Sequence, residues 1–115
     1  YANADMVGHS GNFKACVEAI EQLDLAMKEI WQALEPVNGQ MLITADHGNA
    51  EMMADESTDQ AHTAHTLSLV PFLYIGRKAR MAETGALEDI APTMLKIMGL
   101  PQPSEMTGHP LIEFE

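Results

Sequence analysis

The stretch that decides the fold is Met41-Leu42-Ile43-Thr44-Ala45, which runs directly into Asp46-His47-Gly48-Asn49. A short and mostly apolar run of this kind is typical of a strand that is buried on both faces, as in a parallel sheet. Ligands bind beyond the carboxyl ends of the strands in open α/β sheets. The Asp-His pair at the end of this run therefore marks a candidate functional site.

The patterns on either side of this strand predict the other elements. Apolar residues recur every three or four positions between residues 12 and 34, which indicates an amphipathic helix that Ser10 or Asn12 can cap and that Glu35-Pro36 ends. A shorter helix ends at Gly99. Helix, strand, loop, strand and helix in this order favour an α/β fold. We predict helices over residues 12–34 and 87–98, a second strand over 71–75, and loops over 1–11 and 50–61, with the carboxylates of 51–59 forming a solvated surface.

Composition limits the classes of function. The chain has 115 residues, which fits one domain, and a formal net charge of −11. That charge disfavours binding to nucleic acid or to an acidic membrane surface, and no apolar run is long enough to span a bilayer. The one cysteine, Cys16, excludes an intrachain disulfide and favours a reducing compartment, so we expect a cytoplasmic protein. Cys16 lies in the apolar stripe of the first helix and is expected to be buried.

Three separate segments pair histidine with a carboxylate or with a second histidine. Carboxylate oxygen and imidazole nitrogen form a ligand set for Mn²⁺, Zn²⁺ or Fe²⁺. Each pair alone is compatible with ordinary turn chemistry or with a polar loop. Together they predict a shared metal site, and two neighbouring ions would suit this number of ligands. The pairs are Asp5 with His9, Asp46 with His47, and His62 with His65. The fifth histidine, His109, has no such partner and is expected to be structural.

The same motifs, in the same order, resemble a known family. The segments that carry the resemblance are Tyr1–Gly11, Leu42–Asn49, His62–Thr66 with Val70-Pro71, Asp89–Thr93 and Glu105–Gly108. They look like the C-terminal end of the cofactor-independent (2,3-bisphosphoglycerate-independent) phosphoglycerate mutases, which belong to the alkaline phosphatase superfamily. The resemblance implies part of an alkaline-phosphatase-like domain, with a mainly parallel sheet flanked by helices. Residues 1–115 would form a single C-terminal segment of that metal-binding domain.

The resemblance also implies a chemistry. In this family a serine takes the phosphoryl group from 3-phosphoglycerate and returns it to the 2-hydroxyl, a step of glycolysis and gluconeogenesis. Two divalent ions take part, with Mn²⁺ expected and Zn²⁺, Co²⁺ or Mg²⁺ as alternatives. The implied ligands are Asp5, His9 and His65 for one ion and Asp46 with His47 for the other, and His62 would lie behind the ligands or face the substrate.

Some parts of the family's machinery do not match any segment of this chain. The nucleophilic serine, its partner aspartate and the domain that grips the substrate lie upstream in the family. The isolated chain is therefore expected to be inactive as a mutase. It should also leave strand edges and apolar surface uncovered, and so self-associate. Two alternatives stay open, namely a fragment of a related phosphopentomutase, phosphatase or phosphodiesterase, and a metal-binding module without catalysis.

Overall fold

The computed structural model of the chain describes residues 1–55, 60–61 and 63–115. It confirms the predicted α/β class, and the chain divides into two compact units, Tyr1–Leu73 and Tyr74–Glu115. The helices are α1 (Asn3–Gly8), α2 (Phe13–Leu34) and α3 (Ile90–Met98). The strands are β1 (Met41–Thr44), β2 (Ala54–Asp55), β3 (Gln60–Ala61), β4 (Phe72–Ile75), β5 (Ala79–Met81) and β6 (Ile112–Phe114).

Helix α2 of the first unit begins and ends where the sequence predicts. The side chain of Asn12 accepts a hydrogen bond from the backbone N–H of Ala15 at 3.1 Å, which caps the first turn. A short 3₁₀ turn follows the helix and leads to Asn38, whose φ of 55° is left-handed. Cys16 is buried on the apolar stripe, as expected, with 4% of its surface exposed.

The first eleven residues were expected to form a loop, and this expectation is wrong for most of them. They contain α1, in which the N–H of Met6 donates to the carbonyl of Ala2 at 2.9 Å. Six residues are too few to show an apolar period, so the helix leaves little trace in the sequence. Its last residue, Gly8, packs against Asn49, and a Cβ at position 8 would lie 1.4 Å from Asn49 Oδ1. The helix therefore needs glycine at this contact.

The predicted loop over residues 50–61 also contains regular structure. Strands β2 and β3 pair antiparallel, with Ala54 opposite Ala61. The two strands are two residues each, which is below the length at which side-chain alternation becomes a signal. Strands β1 and β4, in contrast, lie within the runs that the sequence predicts.

The second unit is built on α3 and on a two-stranded antiparallel sheet. Strand β5 was not predicted, and it pairs with β6 so that Met81 lies opposite Ile112. The side chain of Ile112 is almost fully buried. The predicted helix over 87–98 is divided into a 3₁₀ turn (Leu87–Asp89) and α3. As expected, the helix stops at Gly99, where φ is 69°.

Asp89 and Thr93 fasten the segment before β6 to the start of α3. Asp89 accepts hydrogen bonds from the backbone N–H groups of Ala86 at 2.8 Å and His109 at 2.7 Å. These bonds, led by the one from His109, hold the pKa of Asp89 below its usual value. The buried hydroxyl of Thr93 donates to the Asp89 carbonyl at 2.6 Å and accepts from the N–H of Leu111 at 2.9 Å.

Large apolar side chains are exposed in both units, as expected for this chain. Phe13, Leu67 and Leu69 lie in the first unit, and Met98 lies in the second. Whether this surface leads to self-association stays a prediction. None of the helices in the described part of the chain combines the length and the apolarity needed to cross a membrane.

Candidate metal centre

Helix α1 places the first two predicted ligands side by side. Asp5 lies in the middle of the helix, and His9 follows its last residue. The N–H of His9 still donates to the Asp5 carbonyl at 3.1 Å, so the two residues are one helical turn apart. Consequently His9 Nε2 lies 3.2 Å from Asp5 Oδ1.

His65 comes from a distant part of the chain and completes a triangle. Its Nε2 lies 3.1 Å from Asp5 Oδ1 and 3.2 Å from His9 Nε2. The three side chains are 40–49% exposed, so the triangle opens to solvent. Among the described residues, this is the one group of three or more carboxylate, imidazole or thiol side chains close enough to share an ion.

A backbone carbonyl fixes which nitrogen of His9 faces the triangle. The Nδ1 atom of His9 lies within hydrogen-bonding distance of the Thr63 carbonyl oxygen. A carbonyl oxygen only accepts, so Nδ1 must carry the hydrogen and donate it. In the neutral ring, Nε2 then holds the lone pair, directed at Asp5 and His65. Metal-binding histidines are oriented by hydrogen bonds of this kind.

Asp46 and His47 lie beside the triangle, at the end of β1. The Nδ1–H of His47 donates to the carbonyl of Gly48 at 3.3 Å, which again leaves the lone pair on Nε2. That Nε2 lies 3.6 Å from Asp46 Oδ1 and 3.9 Å from Asp5 Oδ1. The rings of His47 and His65 stack, with 3.6 Å between their centroids. Asp46 is 88% exposed and reaches into solvent.

The chemistry of the donor set fits a divalent cation. An ionised carboxylate oxygen and two imidazole nitrogens converge, and groups rich in lone pairs repel one another unless a proton or a metal ion lies between them. Two ligands at about 2.0–2.2 Å from one ion lie about 2.8–3.6 Å apart at octahedral or tetrahedral angles. The edges of the triangle, 3.1–3.2 Å, fall within that interval. Ligands of types O and N suit Mn²⁺, Zn²⁺ and Co²⁺ better than soft ions.

Five of the six residues named from the sequence therefore lie in one place, in the first unit. Asp5, His9 and His65 form the triangle, and Asp46 and His47 adjoin it. The sixth, His62, lies outside the described residues, and its role stays a prediction.

Glu51 makes two contacts beside the site that the sequence did not reveal. It was expected to belong to a solvated acidic surface, and it is exposed, but its carboxylate also accepts two hydrogen bonds. Oε1 accepts a hydrogen bond from the hydroxyl of Thr66, and Oε2 accepts one from the backbone N–H of Asn49 at 2.8 Å. The Thr66 hydroxyl is the main reason that the pKa of Glu51 is lowered to about 2. The signal available in the sequence was a carboxylate two residues after the tight turn at Gly48-Asn49.

Asn49 was not predicted as a site residue either, although it contacts the segments that precede His9 and His65. The residue is buried, with 6% of its surface exposed, and its Nδ2 donates to the Ala64 carbonyl at a long 3.5 Å. Its Oδ1 lies against Gly8 and has no hydrogen-bond partner among the described residues. Gly8 precedes His9, and Ala64 precedes His65. Asn49 thus packs where the segments carrying His9, His47 and His65 meet.

Comparison with known proteins identifies the class to which this site belongs. The family model described as the metalloenzyme superfamily matches residues 1–102, and the chain belongs to that superfamily. The predicted resemblance is confirmed by two relatives named 2,3-bisphosphoglycerate-independent phosphoglycerate mutase. The protein from Ectopseudomonas mendocina is 59% identical over 116 residues, covering 100% of this chain and 23% of the relative. The protein from Pseudomonas fluorescens strain Pf-5 is 61% identical over 113 residues, covering 97% of this chain and 22% of the relative.

A solved structure agrees with the sequence relatives. The crystal structure of the Leishmania mexicana phosphoglycerate mutase at low cobalt concentration superposes with a TM-score of 0.84 and 29% sequence identity. The match covers 100% of this chain and 24% of that one. The chain therefore spans less than a quarter of the length of the mutases that it matches, and it shares the fold of the matching part of the Leishmania protein.

Proposed function

We propose that the chain is the metal-binding segment of a 2,3-bisphosphoglycerate-independent phosphoglycerate mutase. Such an enzyme interconverts 3-phosphoglycerate and 2-phosphoglycerate through a phosphoserine, in glycolysis and gluconeogenesis in the cytoplasm. The observation that carries the proposal is the triangle of Asp5, His9 and His65, with edges of 3.1–3.2 Å. The identity of about 60% to proteins of that name supports the choice of reaction.

In this proposal, Asp5, His9 and His65 hold one divalent ion, with Mn²⁺ as the expected ion. Asp46 and His47 contribute to a second, whose remaining ligands come from outside these residues. His62 is proposed to stand behind the ligands or to face the substrate. The hydrogen bonds from His9 to Thr63 and from His47 to Gly48 support these roles, because they direct a lone pair of each ring toward Asp5.

The chemistry of the site follows from its charges. A divalent ion bound here would supply positive charge for phosphoryl oxygens and would lower the pKa of a coordinated hydroxyl. The chain itself carries a net charge of −11, so its overall field repels an anionic substrate. The residues of the site hold their lone pairs at a fixed spacing, so the positive charge of a bound ion would lie at one defined position beside the phosphoryl oxygens.

The nucleophile of the reaction is proposed to lie outside this chain. Among the serines whose surroundings are described, the hydroxyl of Ser10 donates to the Val7 carbonyl at 2.5 Å. The hydroxyl of Ser104 donates to the neighbouring Glu105 at 3.3 Å. The side chain of Ser68 hydrogen-bonds Glu51. None of these three contacts is to a residue proposed to hold a metal ion, and a bound ion is what would lower the pKa of a nucleophilic hydroxyl here. The isolated chain is therefore proposed to bind metal and to lack mutase activity.

A chimera tests the proposal directly. The segment of the Ectopseudomonas mendocina relative that matches this chain is replaced by residues 1–115, and conversion of 3-phosphoglycerate to 2-phosphoglycerate is measured. We expect activity that requires Mn²⁺ and is removed by a chelator. Asp5→Asn in the chimera should abolish turnover, whereas His109→Ala, which keeps the backbone N–H that binds Asp89, should retain it.

Three results would count against the proposal. A folded chimera that hydrolyses phosphate esters or isomerises a pentose phosphate, but not phosphoglycerate, would favour another enzyme of the superfamily. Equal activity of the chimera and of its Asp5→Asn variant would show that the triangle does not serve the reaction. Turnover by the pure 115-residue chain alone would contradict the placement of the nucleophile.

A further inference from the structure

The segments that carry His47 and His65 are joined by very little backbone structure. The N–H of Thr66 donates to the carbonyl of Gly48 at 2.7 Å, and this pair forms an isolated antiparallel bridge. A single bridge restrains two segments much less than a ladder of several hydrogen bonds does. Yet His47 and His65 stack at 3.6 Å, and both face Asp5, so their relative position is well defined.

Glu51 supplies a second connection between the same two segments. One of its oxygens accepts from the side chain of Thr66, next to His65, and the other accepts from the backbone of Asn49, two residues after His47. Hydrogen bonds to an ionised acceptor are roughly twice as strong as those between neutral groups. The depressed pKa of Glu51 agrees with an acceptor that stays ionised at neutral pH.

The close approach of these groups depends on Gly48. A Cβ at this position would lie 2.1 Å from Thr66 Oγ1 and 2.3 Å from Glu51 Oε1. A larger residue would therefore push the hydroxyl and the carboxylate apart. Glycine between His47 and Asn49 lets the Glu51–Thr66 pair close directly over the turn.

We infer that Glu51 is a positioning residue for the metal site. It holds the turn after His47 against the segment that begins at His65. It thereby keeps the two imidazoles at the spacing that two neighbouring ions would need. Both of its oxygens are occupied by these hydrogen bonds, so it acts through the ligands. The inference rests on the proposed function, because it assigns Glu51 to the same metal site.

The test compares Glu51→Gln with a matched control in the 115-residue chain. Glutamine keeps the shape and one acceptor oxygen, but loses the second acceptor and the charge. The control is Glu18→Gln, which makes the same change of charge on the exposed face of α2, where Glu18 lies 4.0 Å from Lys14. Two quantities are measured, namely the hydrogen exchange of the Thr66 amide without metal and the affinity for Co²⁺ from its visible absorption.

We expect Glu51→Gln to speed exchange of the Thr66 amide several-fold and to weaken Co²⁺ binding by about 10-fold. Partners of metal ligands commonly contribute about 10–100-fold to metal affinity. The control should leave both quantities unchanged. Because Gln at position 51 retains one hydrogen bond, Glu51→Ala should have the larger effect of the two.

A second pair of variants separates positioning from folding. Thr66→Ser keeps the hydroxyl and should retain the wild-type affinity for Co²⁺, whereas Thr66→Val removes it and should weaken binding about as much as Glu51→Gln. The double variant Glu51→Gln/Thr66→Val should be little worse than either single change, since both remove the same contact. A purely structural role would lower the melting temperature without this pattern in Co²⁺ affinity.

Three outcomes overturn the inference, and they are distinct. Unchanged exchange at Thr66 in Glu51→Gln would show that Glu51 does not hold the segments together. Faster exchange with unchanged Co²⁺ affinity would show that the contact does not position the ligands, and the proposed function would stand. Failure of the folded wild-type chain to bind Co²⁺ would refute the proposed metal site, and the positioning role with it.

Discussion

Two aspartates, one in each unit, show how the same side chain can serve different ends. Asp5 lies on the short helix α1 and faces imidazole nitrogens of His9 and His65 at 3.1–3.2 Å. Asp89 precedes α3 and faces the backbone N–H groups of Ala86 and His109 at 2.7–2.8 Å. The first is partly exposed and the second is buried.

The difference lies in what completes each carboxylate. The donors around Asp89 belong to the backbone, so the chain by itself satisfies the charge and gains a fixed connection between two segments. Around Asp5 the neighbouring groups are imidazole nitrogens, and in the neutral ring the His9 nitrogen that faces it holds a lone pair. The proposed function places a cation between them. Asp89 thus connects two segments of the fold, whereas Asp5 is proposed to bind a metal ion.

The largest expected effect is a loss of metal affinity at the site around Asp5. His9→Ala removes one corner of the triangle, and we expect affinity for Mn²⁺ or Co²⁺ to fall by roughly 100-fold or more, beyond the effect of losing a partner of a ligand. Isothermal titration of wild type and variant measures it. The melting temperature without metal should change little, because His9 is partly exposed. Equal metal affinity in the two proteins would remove His9 from the site.

The second prediction breaks the folding side. Thr93 has no exposed surface, and its hydroxyl serves both the Asp89 carbonyl and the Leu111 N–H. Thr93→Val keeps the shape but leaves these two groups unpaired, so the free energy of unfolding should fall by about 1–3 kcal/mol. Thermal melting measures the loss, and Thr93→Ser, which keeps the hydroxyl, is the control. The metal affinity of Thr93→Val should equal that of the wild type. A large drop would show that the contacts around Asp89 also affect metal binding.

The smallest expected effect sharpens the comparison with a third carboxylate, Glu51. Its pKa is lowered from 4.5 to about 2 in the folded chain, so it contributes stability that is fully present above pH 4.5 and is lost as pH falls toward 2. Since Glu51 is exposed, we expect the contribution to stay below about 1 kcal/mol.

The measurement is the difference in melting temperature between wild type and Glu51→Ala as a function of pH. The difference should be constant above about pH 5 and should shrink between pH 4.5 and 2. Subtracting the variant removes the parallel loss expected from Asp89, whose pKa is also lowered. A difference that grows on acidification would contradict the assigned direction.

The elements that could be predicted from the sequence are those whose pattern extends over many residues. Helix α2 spans six turns of apolar periodicity, and its cap at Asn12 was visible, so both of its ends could be predicted. The grouping of acidic and imidazole side chains around Asp5 could be predicted because Asp and His recur at the ends of elements. Asp and His residues that cluster in this way have few other common roles.

The parts that the sequence did not reveal depend on contacts between distant residues. Helix α1 is shorter than a period signal needs, and the contact of Gly8 with Asn49 appears only when the chain is folded. The pairing of β5 with β6 brings together residues more than thirty positions apart. Glu51 resembles any acidic loop residue until Thr66 is brought against it.

The hydrogen bond that orients His9 has one more consequence, for the tolerance of the site to sequence change. Its acceptor is the main-chain oxygen of residue 63, which nearly every amino acid supplies equally well. The side chain of Thr63 is exposed and plays no part in that bond. Position 63 can thus be varied to tune solubility or to attach a label close to His9, while the imidazole keeps its orientation.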